Sequence, residues 1–112
     1  METDENCIFC KIVAGTIPAQ KTYEDENVVA FLDINPKVPG HTILIPKAHY
    51  EWFQDLPDEV SDPLFRISKT LAKQLKTERS ADYVHLSIVG RDVPHVHLHL
   101  MPRKLHEQLP AV

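Results

Sequence analysis

Hydrophobic and polar positions follow two periods along the chain, and each period predicts a type of element. Apolar residues recur at steps of four, three, four and four over 60–75, which predicts a helix from about 58 to 78. A shorter helix is expected over 6–14, with Asn6 as its N-cap and Gly15 as its stop. Strands are expected where short apolar or alternating runs are bounded by turn residues, at 22–24, 28–34, 41–46, 83–89 and 95–102. The pattern predicts an α+β domain: a five-stranded antiparallel sheet with one long helix and a short N-terminal helix.

Length and composition restrict the class of protein. The 112 residues suit a single domain spanning 1–112, with its core at about 6–103 and a short tail at 104–112. The net charge of −4 argues against a nonspecific nucleic-acid coat or a polybasic membrane anchor. No apolar run approaches the ~20 residues that span a bilayer, and the acidic N-terminus does not resemble a secretory signal. We therefore expect a cytoplasmic protein that binds neither nucleic acid nor membrane.

Three histidines alternate within five positions, at His95, His97 and His99. On a strand, alternate side chains share a face, so the imidazoles are expected on one face and Val96, Leu98 and Leu100 on the other, against the long helix. A single histidine there would be an ordinary polar residue of a half-buried strand. Three alternating histidines indicate one of two sites. Either they bind a metal, or one of them attacks phosphorus while its neighbours fix its tautomer and bind phosphoryl oxygens. The spacing alone does not choose between these two.

Cys7 and Cys10 are the only cysteines and form a Cys-x-x-Cys pair. A reducing compartment disfavours a structural disulfide. The residues alone leave three interpretations: a redox dithiol, a pair of metal ligands, or a coincidence. Two thiols do not complete a tetrahedral site, which needs four ligands.

The segment His95-Val-His-Leu-His-Leu-Met101 resembles the His-φ-His-φ-His-φ-φ signature of the histidine triad (HIT) superfamily of nucleotide hydrolases and transferases. The family's N-terminal half is also matched in order, most specifically by Pro39-Gly-His-Thr-Ile-Leu-Ile-Pro-Lys-Ala-His49. The resemblance covers about 6–103 and is nearest to the Hint-like branch. It implies the same fold and a homodimer in which the final-strand edges and the long helices lie near the twofold axis.

The resemblance implies a two-step reaction. His97 attacks the α-phosphorus of a nucleoside phosphoramidate or related nucleotidyl conjugate, and a nucleotidyl-histidine intermediate then releases a nucleoside monophosphate. His99 contacts the phosphate and assists the leaving group, and His95 orients His97 through its carbonyl or side chain. No catalytic metal is required. The alternatives are dinucleoside polyphosphate hydrolysis, a nucleotide-binding regulatory module, and a metalloenzyme with His97 and His99 on an open zinc.

The resemblance also implies a nucleotide pocket. Asp33 is expected to accept hydrogen bonds from both ribose hydroxyls, unless it only ends a strand. In the turn before the triad, at 87–94, the Gln and hydroxyl residue of many members are missing, and Arg91 is either a replacement phosphate ligand or a solvated charge. Asp92 is expected to point away, because a carboxylate repels phosphate. The apolar slot for a purine base, with little discrimination between bases, is expected from Ile8, Phe9, Ile12, Ile17, Phe31 and Ile34.

A structural zinc site is implied as well, tying the first helix to the sheet. Its four ligands would be Cys7, Cys10, His49 and His95. The alternative is two buried free cysteines and a surface histidine. His41 is expected to be structural, His85 has no assigned role, and Trp52 and Phe53 are expected to pack or to lie at a dimer edge.

Overall fold

The computed structural model of the protein describes residues 3–107. Within them lie two helices, five strands and a single 3-10 turn at Phe53–Asp55. The strands form one antiparallel sheet in the order β1-β2-β3-β5-β4, which is the predicted α+β architecture. Of the predicted tail, 108–112 lie outside the described residues. The elements are α1 (Ile8–Ala14), β1 (Lys21–Glu24), β2 (Val28–Leu32), β3 (Thr42–Pro46), α2 (Asp58–Glu78), β4 (Tyr83–Ser87) and β5 (Leu98–Arg103).

Helix α2 covers one face of the sheet. Its first turn carries Asp58 and Glu59, where carboxylates interact favourably with the helix dipole, and Pro63 is accommodated near the start. Its apolar stripe and the facing strand positions form one buried cluster, which includes Leu44, Leu64, Leu71, Leu75, Val96, Leu98 and Leu100. The apolar residues of the histidine segment therefore face the long helix, as predicted. Between residues 3 and 107, neither helix is long and apolar enough to cross a membrane.

Helix α1 packs on the opposite face, where Phe9 and Ile12 join Val29, Phe31 and Ile43 in a second buried cluster. It ends at Gly15 in the left-handed conformation, with φ of 80°, as predicted. The prediction of Asn6 as N-cap is wrong. The cap is Cys7, whose Sγ accepts a hydrogen bond from the Cys10 N–H at 3.4 Å, while the Asn6 N–H donates to the side chain of Asp4.

Strand β5 begins at Leu98, three residues later than predicted. The reason is that the preceding backbone pairs outside the sheet: the Val96 N–H donates to the Tyr50 carbonyl at 2.7 Å, and the His95 N–H donates to the Val93 carbonyl at 2.8 Å. The side-chain alternation nevertheless continues through this segment. The first two triad histidines therefore lie on a loop end held against residues 47–50.

Two other strands are shorter than predicted. Strand β2 ends at Leu32 rather than at Ile34, and β4 ends at Ser87 rather than at Val89. Asp33 keeps one sheet-like contact, because its N–H donates to the His41 carbonyl at 3.0 Å. Its side chain thus lies where the sheet gives way to the 33–41 loop.

Candidate active site and metal cluster

A cavity of about 240 Å³ lies on the α1 side of the sheet. Its lining is mostly apolar, and two of its side chains are strongly exposed: Ile8 at 46% and Ile34 at 89%. Exposed apolar groups around a concave site, with few polar ones, are typical of a site for a flat aromatic ligand. The predicted nucleotide-binding residues that line it are Ile8, Phe9, Ile12, Ile17, Phe31, Asp33, Ile34, His97 and His99.

The turn before the triad differs from expectation. Arg91 is exposed and does not line the cavity. Asp92 does line it, with Oδ1 3.3 Å from His97 Nε2, and the expectation that Asp92 points away is wrong. Burial alone would raise the pKa of the Asp92 carboxyl, but hydrogen bonds from the backbone N–H groups of Asp92 and Val93, together with nearby His97, hold it below its ordinary value.

The contacts of the His97 ring determine its tautomer. Its Nδ1 lies 2.7 Å from the His95 carbonyl oxygen, which can only accept, so Nδ1 carries the proton and donates it. In the neutral ring the lone pair is then on Nε2, which finds no hydrogen-bond partner among the described residues. Phe9 packs edge-on against the ring at a centroid distance of 5.1 Å. His95 thus orients His97 through its carbonyl, one of the two routes predicted.

His99 is held by a partner that the sequence did not identify. The Lys37 N–H donates to His41 Nδ1 at 3.2 Å, so the proton of neutral His41 is on Nε2. His41 Nε2 lies 2.9 Å from His99 Nδ1 and donates to it, which leaves the proton of His99 on its own Nε2. The chain of contacts therefore makes His99 a proton donor toward its surroundings in the cavity.

Burial keeps the rings of His41 and His99 neutral. It lowers the pKa of His99 to about 4, with the neighbouring His97 and His41 acting in the same direction. Burial also lowers the pKa of His41, although Asp33 opposes it with an Oδ2 that lies 3.5 Å from His41 Nε2. Neutral rings permit the tautomer assignment, because a doubly protonated imidazole has no lone pair to accept with.

A second cluster of donors lies behind the triad, where α1, the loop after β3 and the loop before β5 meet. His95 Nδ1 is 3.3 Å from Cys7 Sγ, 3.5 Å from Cys10 Sγ and 3.2 Å from His49 Nδ1. Cys10 Sγ is also 3.3 Å from His49 Nδ1. The four predicted zinc ligands therefore converge, and all their donor atoms lie within 4.8 Å of one another.

The donor set fits tetrahedral zinc. Bonds of about 2.3 Å to sulfur and about 2.0 Å to nitrogen give tetrahedral edges of roughly 3.3 Å between nitrogens and about 3.5 Å between nitrogen and sulfur. The observed nitrogen–nitrogen and nitrogen–sulfur separations match these edges within a few tenths. His95 Nε2 donates to the Pro46 carbonyl at 2.8 Å, so its lone pair on Nδ1 points at the thiols. Burial lowers the pKa of His95 to about 4 and raises the pKa of Cys10 to about 11. A buried thiol facing imidazole lone pairs is the environment that a metal ion completes.

Three residues of the site were missed by sequence reasoning. Ile43 could have been found, because it pairs with Phe31 and His99 in the sheet and shares their face, but this needs the strand order. His41 was visible as one more histidine in the Pro-Gly-His segment, yet its contact with His99 joins positions 58 apart. Asp92 was excluded from the predicted site only because its negative charge repels a phosphate.

Comparison with known proteins identifies the family of this chain. The HIT domain family model matches residues 14–106. A HIT-like protein of Methanocaldococcus jannaschii is 45% identical over 87% of this chain and 78% of its own. Adenosine 5′-monophosphoramidase HNT1 of Saccharomyces cerevisiae is 40% identical over 90% of this chain and 65% of its own. The crystal structure of a Zn-bound histidine triad family protein from Mycobacterium smegmatis superposes with a TM-score of 0.86 at 35% identity, covering 93% of this chain and 79% of that one. The chain belongs to the HIT domain family.

Proposed function

We propose that this protein is a Hint-like nucleotidyl hydrolase that cleaves nucleoside phosphoramidates, or related nucleotidyl conjugates, at the α-phosphorus through a nucleotidyl-His97 intermediate. One observation carries the proposal: His97 donates from Nδ1 to the His95 carbonyl and so presents its Nε2 lone pair beside the cavity. The 40% identical relative named as an adenosine 5′-monophosphoramidase supports the substrate class.

In the first step the Nε2 lone pair forms a bond to the α-phosphorus while the phosphorus–nitrogen bond to the leaving amine breaks. The amine takes the electron pair of that bond and needs a proton as it leaves. His99, with its proton on Nε2, is placed to donate toward the phosphoryl oxygens and the leaving group. His95 holds the attacking ring in the required tautomer.

In the second step water attacks the same phosphorus and the bond to Nε2 breaks. The electron pair returns to His97, and the proton lost by water balances the one given to the amine. The sum is phosphoramidate plus water giving nucleoside monophosphate plus amine. No metal enters either step.

For binding, we place a purine base in the apolar slot around Phe9 and Phe31, with its ribose at Asp33. The Asp33 side chain is 21% exposed, and its Oδ1 accepts a hydrogen bond from the Asn35 N–H at 2.8 Å. Each carboxylate oxygen can accept more than one hydrogen bond, so both remain available to a vicinal diol. The slot offers no polar group in a base-reading position among the described residues, which is the basis for weak discrimination between bases.

The test is intact-mass spectrometry after mixing with adenosine 5′-phosphoramidate and quenching without acid. We expect a transient gain of one nucleotidyl group in the wild type and none in His97→Gly. His106→Gly, which changes an exposed histidine in 104–107, is the matched control and should keep the adduct. Unchanged turnover in His97→Ala would refute the proposal.

A metal-dependent reaction is the second candidate, because Asp92, His97 and His99 bring three donor atoms within 4.8 Å of one another. A site of two imidazoles and one carboxylate with an open position would suit a catalytic ion. Exhaustive chelation separates the two candidates. Full turnover afterwards supports the covalent route. Turnover that returns only with added metal supports the second candidate when chelation leaves the urea midpoint unchanged, because loss of a structural ion would lower that midpoint.

We also propose a structural zinc ion on the Cys7, Cys10, His49 and His95 cluster and a homodimer. The expectation that the final strand supplies an edge is wrong, because β5 pairs with β3 on one side and with β4 on the other. For the dimer, the available edge strand is β4, and exposed apolar side chains lie on it and in neighbouring segments: Trp52, Phe53, Leu86 and Val89. Elemental analysis after metal-free purification tests the zinc, and light scattering tests the dimer. Less than about 0.2 zinc per chain would contradict the zinc site, and a monomer at micromolar concentration would contradict the dimer.

A further inference from the structure

The carboxylate of Asp92 occupies the place where the reacting phosphate must go. Its Oδ1 is 3.3 Å from His97 Nε2, yet the two atoms do not meet hydrogen-bond geometry. A nucleophile attacks from roughly 3–3.5 Å, so the α-phosphorus needs the same region of space. The phosphate and the Asp92 carboxylate therefore compete for the space beside His97 Nε2.

The position of the Asp92 carboxylate favours a negative charge. The pKa of this carboxyl is held below its ordinary value, with the backbone of Asp92 and Val93 and the nearby His97 opposing the effect of burial. The cavity lining offers no lysine or arginine side chain in its place among the described residues. Asp92 thus behaves as an internal substitute for a phosphoryl group.

Displacement of this side chain is feasible. The Asp92 side chain is 69% exposed and lies on the loop between β4 and β5, whereas the His97 ring beneath it is 1% exposed. A rotation of the Asp92 side chain moves its carboxylate away from His97 Nε2 and uncovers that nitrogen. The carboxylate then remains a few ångströms from the phosphate and repels it.

This repulsion acts unequally on substrate and product. A nucleoside phosphoramidate carries one negative charge on its α-phosphorus group, and the monophosphate that forms from it carries close to two at pH 8. Building on the proposed function, we propose that Asp92 is a specificity-determining residue that selects against the dianionic monophosphate relative to monoanionic α-phosphoryl groups, and so favours product release.

The experiment compares two ligands of nearly equal shape and different charge. The Kd of adenosine 5′-monophosphate and that of adenosine 5′-(methyl phosphate), a monoanion with a poor leaving group, are measured by calorimetry at pH 8 and low salt. The proteins are the wild type, Asp92→Asn, and Asp62→Asn, whose exposed carboxylate on α2 lies on the other side of the sheet.

In Asp92→Asn we expect both ligands to bind more tightly and the monophosphate to gain about tenfold more than the methyl ester, the size of one extra charge interaction at about 4 Å in a solvent-screened site. The difference between the two gains in affinity should shrink at 0.5 M salt. Asp62→Asn should have the same two Kd values as the wild type. The inhibition constant of the monophosphate should fall with its Kd.

Equal tightening of both ligands would overturn the inference, because it would mean that the Asp92→Asn substitution only clears space. No change in either Kd would overturn it as well. If neither ligand bound to any of the three proteins, the proposed function would fail together with the inference. If both ligands bind and His97 forms the adduct, but the ratio of the two Kd values is the same in Asp92→Asn as in the wild type, the inference fails and the proposed function stands.

Discussion

Two clusters of histidine lie side by side on the α1 face of the sheet and differ in what completes them. In the first, the nitrogens of His49 and His95 and the two thiols point at one another and leave only the space of a single ion. In the second, His41 and His99 bond to each other, His97 donates to the His95 carbonyl, and the remaining donor or lone pair borders an open cavity. Imidazole lone pairs that converge suit a metal ion, and those that are kept apart suit proton transfer or nucleophilic attack.

Breaking the closed cluster should have the largest effect on the fold. Cys10→Ser removes one of four ligands, so we expect loss of the bound zinc and destabilisation by about 3 kcal/mol or more, because metal-binding energy is folding energy at such a site. Urea denaturation with elemental analysis measures both. Lys11→Ala, at the next and exposed position of α1, should leave both unchanged. Equal stability of Cys10→Ser and the wild type would show that these side chains hold no structural ion.

Altering the open cluster should change rate and leave the fold intact. In His41→Asn the donor to His99 Nδ1 is lost, so His99 no longer keeps its proton on Nε2, and we expect kcat to fall about 10–100-fold while the nucleotidyl adduct still forms. His41→Gln is the matched variant, because its longer amide restores a donor near the position of Nε2 and should recover part of the rate. If the two variants behaved alike, a role in fixing the tautomer would be excluded.

The smallest effect is a pH dependence of stability. His99 has its pKa lowered to about 4 by burial, so between about 6.5 and about 4 the unfolded chain binds a proton that the folded chain does not. Stability should therefore fall as the pH drops through this range. His99→Asn should show a shallower fall than the wild type, measured as the urea midpoint at pH 7.5, 6 and 5. An exposed-site control, His106→Asn, should keep the wild-type slope.

The sequence was informative where chemistry is carried by local spacing. Alternation predicted that His95, His97 and His99 share a face, and the step pattern predicted α2 almost to the residue. Resemblance added His49 to Cys7 and Cys10, a grouping that no local pattern shows. These predictions concern positions whose geometry follows from helix and strand periods or from a known motif.

What escaped prediction depends on contacts between distant segments. The late start of β5 follows from the Val96 bond to Tyr50, and the role of His41 follows from register between β3 and β5. The Asp92 case is different. Repulsion between a carboxylate and a phosphate is a sound physical argument, but it does not determine where the Asp92 side chain lies without a phosphate, and periodicity carries no information about the direction of a turn side chain.

One residue joins the two clusters. The ring of His95 lies in the cluster with the two thiols, and its carbonyl oxygen accepts the hydrogen bond from His97 Nδ1. A shift of this residue by a fraction of an ångström therefore affects both clusters. It is further tied to β3 through the Pro46 carbonyl. His95 therefore couples the two clusters mechanically: a change that loosens its ring among the thiols also alters the direction of the His97 Nε2 lone pair.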